Sequence, residues 1–148
     1  IIKLREQGIK SITKLDDLIK KSADDRQDLL DKIKKIETEM KSLSQDMENI
    51  NTINKYREIY KYHKKNPEDK QFVDEYYSEL SVYKIAAKEI LENYKKLPKT
   101  KEILSNLDKL QEKKNTLMQE YSLNKEQFSD LVQYRKNYEN YYGKEVER

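Results

Sequence analysis

The stretch "LLDKIKKIETEMKSLSQDMENI", residues 29–50, decides the fold. Its apolar residues recur at alternating steps of four and three: Leu29, Ile33, Ile36, Met40, Leu43, Met47 and Ile50. Charged and polar residues occupy most of the positions between them. Heptad spacing of this kind predicts a long α-helix that buries one narrow apolar stripe against a neighbouring helix, as coiled coils do.

The stripe continues toward the N-terminus. It passes through two polar residues, Arg26 and Ser22, and then through the apolar residues Ile19, Leu15 and Ile12. Gly8 predicts the end of a short preceding helix, because glycine favours the left-handed position that follows a helix C-terminus. A new helix would then start at Ser11 or Thr13.

The stripe also continues past Ile50, where a three-residue step to Ile53 predicts local overwinding. It resumes with Tyr56, Tyr60 and His63, which we expect to pack against Tyr76, Tyr77 and Leu80. Pro67 stops the helix, because the residue before a proline is pushed out of the helical region. The first long helix is thus predicted over residues 11–65.

Two further helices are predicted over residues 69–96 and 100–142. The stripe of the second contains Val73, Tyr76, Leu80, Tyr83, Ala87, Ile90 and Tyr94. That of the third runs from Ile103 to Tyr142, with Gly143 as its end. The predicted fold class is therefore all-α: an elongated coiled coil of three main long helices whose short connections make antiparallel helical hairpins. Residues 1–148 form a single elongated helical region, expected to be a fragment of a larger protein because it begins with Ile1 rather than Met.

The composition agrees with narrow stripes. Of the 148 residues, 40% are charged and 35% hydrophobic, which argues against a large globular core. The absence of cysteine fits a reducing compartment and predicts a cytoplasmic location. No apolar run approaches the roughly 20 residues of a membrane span, so no membrane insertion is expected.

The unequal helix lengths suggest a homodimer. In an up-down-up arrangement, the beginning of the first helix and the end of the third would lack an intrachain partner, and exposed apolar stripes seek another chain. The exception is that Pro98 only bends a longer helix, so that the first and third helices pair antiparallel within the chain.

A basic segment ends the first helix. We define it by its five basic residues: Lys55, Arg57, Lys61, Lys64 and Lys65. Facing away from the stripe, these residues could bind nucleic-acid phosphates without sequence specificity, and Tyr62 could stack on a base. The spacing alone favours a solvated face with ion pairs such as Glu58 with Lys61. A membrane-surface helix is a third interpretation, ranked lower because the stripe is tyrosine-rich and lacks tryptophan.

Catalytic and metal chemistry find no support in the sequence. His63 is the only histidine, whereas zinc sites use several histidines or cysteines, and no cofactor is expected. We expect no enzyme activity from this chain. The polar stripe residues are instead predicted to select the register and partner of the helices. They are Ser22, Arg26, Lys114, Asn124 and Arg135.

Four stretches, in this order, resemble the region that follows the nuclease domain in relaxases (mobilisation nucleases) of Gram-positive conjugative transposons and plasmids. They are "LREQGIKSITKLDDL", "INKYREIYKYHKK", "YKIAAKEILENYKKLPKTKEI" and "LVQYRKNYENYYG". The resemblance implies a DNA-transfer protein whose separate N-terminal domain nicks one strand with a tyrosine and a histidine-held metal. None of those catalytic positions has a counterpart here.

The expected function is that of a non-catalytic helical region of such a relaxase. It would mediate self-association or contacts with conjugation accessory or coupling proteins, with possible non-specific DNA binding during DNA transfer. The alternative is a structural coiled-coil spacer or scaffold segment of an unrelated cytoplasmic protein. An upstream histidine-rich nuclease motif in the parent gene would separate the two.

Overall fold

The computed structural model describes the backbone of residues 2–147 and the side chains of residues 10–141. Over this range the chain is all-helical, with four helices. They are α1 (Ile2–Lys65), α2 (Lys70–Glu75), α3 (Tyr77–Asn93) and α4 (Thr100–Glu147). None of the described helices is both long and apolar enough to cross a membrane.

Burial follows the predicted stripes. In α1 the stripe from Ile12 to Ile50 is buried or half-buried at every position, and in α4 the same holds from Ile103 to Arg135. Most of the intervening residues are exposed. The sequence period therefore identifies the packed face of each long helix, polar members included.

Both predicted glycine stops are wrong. The helix α1 begins at Ile2 and runs through Gly8, and α4 runs through Gly143 to Glu147. Glycine permits a left-handed turn but does not impose one, since it also adopts helical angles at a cost of about 1 kcal/mol. The helix start predicted at residue 11 and the end predicted at residue 142 are corrected accordingly.

The proline position behaves differently. The helix α1 ends at Lys65, shortly before Pro67, with His63, Lys64 and Lys65 in its last turn, where cations complement the helix dipole. Asp69 then caps α2 by accepting a hydrogen bond from the Phe72 N–H at 3.1 Å.

The second predicted helix, 69–96, is two helices. Tyr76 separates them with φ −108° and ψ 26°, although its N–H still bonds the Phe72 carbonyl and its carbonyl still accepts the Leu80 N–H, both at 2.9 Å. The helix α3 ends at Asn93 because Tyr94 is extended. The Lys99 carbonyl accepts the first hydrogen bonds of α4, and Thr100 is the first helical residue.

The chain divides into two compact units. Unit 1 comprises residues 1–36 and 113–148, and unit 2 comprises residues 37–112. Unit 2 holds the apolar core, in which Ile50, Ile90 and Ile103 are each 2% exposed or less. Ile53 and Ala86 complete the cluster. Burying such side chains stabilises a fold by about 1.5–3 kcal/mol each.

Unit 1 pairs the beginning of α1 with the end of α4. Going up α1, Asp16 and Ser22 contact Arg135 and Asn124 in reverse chain order. As far as the side chains are described, both segments have an intrachain partner, so the overhang on which the predicted homodimer depends is absent there. The two helices do pair within the chain in unit 1, but residues 94–99 are non-helical, so Pro98 lies in a connection and does not bend a longer helix.

Candidate functional site

The lysines of the basic segment are solvent-exposed. This holds for all four of them: Lys55, Lys61, Lys64 and Lys65. The Lys61 ammonium is 3.6 Å from the Glu58 carboxylate, and these side chains are 60% and 86% exposed. An ion pair this exposed contributes little to stability, so Lys61 can exchange it for another anion at low cost.

Two of these lysines also lie near tyrosine rings. The Lys55 amino group is 5.3 Å from the Tyr56 ring centroid, and that of Lys64 is 6.0 Å from the Tyr60 ring centroid. Cation–π attraction at exposed sites is about 0.5–1 kcal/mol, which biases the position of each ammonium without burying it.

Arg57 does not share the exposed position predicted for it. The arginine is half-buried, and its Nη2 donates to the Asn54 Oδ1 at 2.8 Å. It follows Ile50 and Ile53 by seven and four residues, which places it on the packed stripe. The predicted stripe steps from Ile53 to Tyr56 and so passes over Arg57. The heptad spacing that leads to Ile50 nevertheless continues, and it reaches Arg57 seven residues later.

An aromatic cluster joins α1 to the segment after Pro67. Tyr60 stacks on Tyr83 with ring centroids 4.3 Å apart and an angle of 19° between the rings. Burial is the main cause that raises the pKa of Tyr83, the neighbouring Tyr60 adds to the rise, and the positive charge of Arg57 opposes it. Tyr77, predicted to pack here, is instead 67% exposed.

Tyr62 is held by two contacts. Its hydroxyl donates to the Asp69 carboxylate at 2.7 Å, and its ring centroid lies 4.2 Å from that of Phe72. The hydrogen bond to Asp69 is the main cause that raises the pKa of Tyr62, and it is also the main cause that lowers the pKa of Asp69. Since Phe72 covers part of the ring, less of Tyr62 is free for base stacking than the sequence suggested.

The predicted register residues of unit 1 make contacts between helices. The Asn124 Nδ2 donates to the Ser22 carbonyl at 3.0 Å, and both residues are buried. The Arg26 guanidinium carbon lies 4.5 Å from the Phe128 ring centroid. Lys114, another member of the set, is half-buried in α4.

Arg135 pairs with acids on both helices of unit 1. Its Nε donates to Asp16 of α1, and its Nη1 lies 2.8 Å from the Glu139 carboxylate. The hydrogen bond to Asp16 is the largest cause that raises the pKa of Arg135. Arg135 thus connects α1 and α4 within unit 1.

Unit 2 also contains a polar cluster that the sequence did not predict. The Tyr94 hydroxyl donates to the Asp46 carboxylate at 2.7 Å, and the Asn49 Nδ2 donates to the Glu89 carboxylate at 2.8 Å. Asp46 and Asn49 are only 6% and 7% exposed. The available signal was their position beside Met47 and Ile50, which places them at the margin of the stripe.

Residues 10–141 contain no group of three or more histidine, cysteine or acidic residues that could hold a metal ion. No known protein family, curated protein or solved structure matches this chain. The features that bear on function are therefore the geometry and charge of the described residues.

Proposed function

We propose that this chain is a non-catalytic helical region of a relaxase of the Gram-positive conjugative type, and that it holds DNA through backbone phosphates at the end of α1. One observation carries the DNA contact: Lys55, Lys61, Lys64 and Lys65 are all exposed within the last three turns of one helix. The assignment to a relaxase rests on the ordered sequence resemblance.

The chemistry of the segment favours binding without sequence specificity. Lysine is a compact charge on a flexible stem, whereas base-specific recognition commonly uses the bidentate geometry of arginine. Arg57, the only arginine of the segment, already bonds Asn54. Lysine contacts to phosphate hold DNA in any sequence.

The helices support this role as a scaffold. We propose that they pair as antiparallel coiled-coil hairpins, with the polar residues Arg26, Lys114, Asn124 and Arg135 selecting the register. Self-association and docking to conjugation accessory or coupling proteins remain part of the proposal. The support for self-association is now the exposed apolar side chains, such as Leu123 at 60% exposure.

The second candidate function is a structural spacer of an unrelated protein. The observation that favours it is the Lys61–Glu58 ion pair, which is typical of a solvated helix face. A spacer predicts the same helices but no affinity for DNA.

Fluorescence anisotropy with labelled single- and double-stranded oligonucleotides tests the proposal across a salt series. Neutralising four phosphates should give a slope of log affinity against log salt of about −3.6 for duplex and about −2.8 for single strands. Changing Lys55, Lys61, Lys64 and Lys65 to glutamine should weaken binding by at least about tenfold at low salt.

The matched control changes four exposed lysines elsewhere on α1, namely Lys10, Lys14, Lys20 and Lys21, to glutamine. Both variants lose the same charge, so equal losses of affinity would show that net charge alone drives binding. Absence of binding by the wild-type chain at about 50 mM salt would favour the spacer. Sedimentation velocity over a concentration series tests self-association separately.

A further inference from the structure

A groove between α1 and α3 in unit 2 has a volume of about 440 Å³. We call it the α1–α3 groove. Tyr60 lines it from α1, and Tyr83, Ala87 and Leu91 line it from α3. Leu91 is 63% exposed, although it borders other apolar side chains. The floor of the groove is thus apolar and open to solvent.

The groove continues the core of unit 2. Tyr83 and Ala87 pack against the cluster of Ile50, Ile90 and Ile103, and they also line the groove. Ile103 lies on α4, yet every lining residue of the groove that the structure describes comes from α1 or α3. An apolar side chain placed here would extend the existing core, as a third helix does when it packs on a helix pair.

The rim of the groove is positively charged. Lys84 and Lys88 line it from α3, against the single acidic residue Glu92. On the α1 side, the Lys64 amino group is 6.0 Å from the Tyr60 ring centroid, and Arg57 acts electrostatically on Tyr83. Two lysines of α3 therefore border the apolar floor, and two cations of α1 lie near its tyrosines.

We propose that the α1–α3 groove docks an acidic amphipathic helix of a partner protein. The apolar side chains of that helix would lie on Tyr60, Tyr83 and Leu91, and its carboxylates would pair with Lys84 and Lys88. Helices bind grooves in this way, through apolar anchors one turn apart. This binding site does not depend on the proposed DNA contact.

A helix fits the groove better than a nucleic-acid strand. Tyr60 and Tyr83 stack on each other at 4.3 Å, so each ring has one face already covered. The side chains that remain open, Ala87 and Leu91, are aliphatic and offer no face for base stacking. Lys84 and Lys88 lie one turn apart on α3, so two acidic residues one turn apart on a partner helix would match their spacing.

The probe is a fluorescein-labelled helical peptide with leucines at positions i, i+3, i+4 and i+7 and glutamates on its other faces. Its control is a peptide of identical composition whose order is scrambled, which keeps the charge and removes the apolar face. Fluorescence anisotropy should show binding of the amphipathic peptide at least about tenfold tighter than that of the scrambled one. Equal binding of the two peptides overturns the proposal, as does no binding at low salt.

Two pairs of variants locate the binding. Lys84→Glu with Lys88→Glu should weaken binding by about tenfold or more, whereas the same change at the exposed Lys95 and Lys96, outside the groove, should change it less than about twofold. Leu91→Ser should weaken peptide binding, because Leu91 lines the groove. Ile85→Ser is the matched control and should not weaken it: Ile85 lies outside the described lining and is 61% exposed, close to the 63% of Leu91.

Two further outcomes overturn the proposal in favour of other ligands. The first is that binding of a labelled single-stranded oligonucleotide depends on Lys84, Lys88 and Leu91 while binding of the peptide does not. That result would identify a nucleic-acid groove. Self-association in sedimentation velocity that Leu91→Ser abolishes, without specific peptide binding, identifies a second copy of this chain.

Discussion

Tyr94 and Asp46 form a part-buried polar contact in unit 2. The Asp46 side chain accepts a hydrogen bond from the Tyr94 hydroxyl at 2.7 Å, and Asp46 is 6% exposed. A buried carboxylate has lost its hydration. Without such a donor, no hydrogen bond offsets that cost in free energy. The contact therefore favours one alignment of α1 against the chain that follows α3.

Tyr94→Phe should destabilise the protein by about 1–3 kcal/mol at neutral pH, because Asp46 stays buried without that donor. Urea unfolding followed by circular dichroism measures the loss. The control is Tyr77→Phe, because Tyr77 is 67% exposed and its replacement should change the free energy of unfolding by less than about 0.5 kcal/mol. Equal effects of the two variants would contradict a structural role for the Tyr94 hydroxyl.

The same residue predicts a pH dependence. Burial, and then the hydrogen bond to Asp46, raise the pKa of Tyr94 to about 12. The unfolded value is about 10, so between about pH 10 and 12 the folded protein binds more protons than the unfolded chain, and stability falls as pH rises. The wild-type protein should lose more free energy of unfolding over this window than Tyr94→Phe does. Parallel curves for the two proteins would contradict the shift.

At the residue scale, the sequence identifies polar residues that interrupt an apolar stripe. Asn124 is found in this way, and its Nδ2 does bond across the helix pair while its Oδ1 is buried without a partner. A half-satisfied amide of this kind lowers stability and penalises slipped alignments. Asp46 escapes notice because it flanks the stripe and its partner is 48 residues away.

At the scale of elements, helix interiors are easier to predict than helix ends. Pro67 marks the end of α1 because its ring excludes the helical hydrogen bond, whatever the surroundings. Gly8 only permits an end, and packing along the stripe decides. No proline or glycine marks the break at Tyr76 in the sequence. The break is also slight, because the backbone hydrogen bonds on both sides of it are helical.

Gly8→Ala distinguishes the two interpretations of this glycine by the sign of its effect. Within a continuous helix, alanine should stabilise the protein by up to about 1 kcal/mol and raise the helical signal in circular dichroism. At a left-handed helix end, alanine would instead destabilise it. Thermal unfolding of the variant and the wild type gives the sign, and a lower melting temperature would contradict the continuous α1.

At the scale of the whole molecule, both units bury polar side chains, but among the described residues the cluster of buried apolar side chains lies in unit 2. Unit 2 buries the apolar cluster of Ile50, Ile90 and Ile103. Among the described side chains of unit 1, the buried ones are Ser22, Ile33 and Asn124, each 7–8% exposed. Composition alone cannot reveal this difference, because apolar stripes run through both units and only the packing shows which positions are enclosed.

Hydrogen exchange should therefore protect unit 2 more strongly than unit 1. Amides around Ile50 and Ile90 are expected to exchange slowest, and those around Ser22 and Asn124 faster, because local opening there exposes less apolar surface. Mass spectrometry of peptic fragments measures this. Ile90→Ala should cost about 2–5 kcal/mol and speed exchange in unit 2, whereas Ile85→Ala, at a 61% exposed position, should not. Uniform protection of both units would contradict the prediction.

The partners in unit 1 are far apart in the chain, and this matters while the protein is being made. Asn124 contacts Ser22 across 102 residues of sequence, whereas the Asn49–Glu89 contact of unit 2 spans 40. At a synthesis rate of about 5–20 residues per second, Ser22 waits roughly 5–20 s for Asn124 to be added. During that interval the beginning of α1 leaves the ribosome with its apolar stripe uncovered. Nascent chains of this protein are thus candidates for chaperone binding at that stripe until translation of α4 is complete.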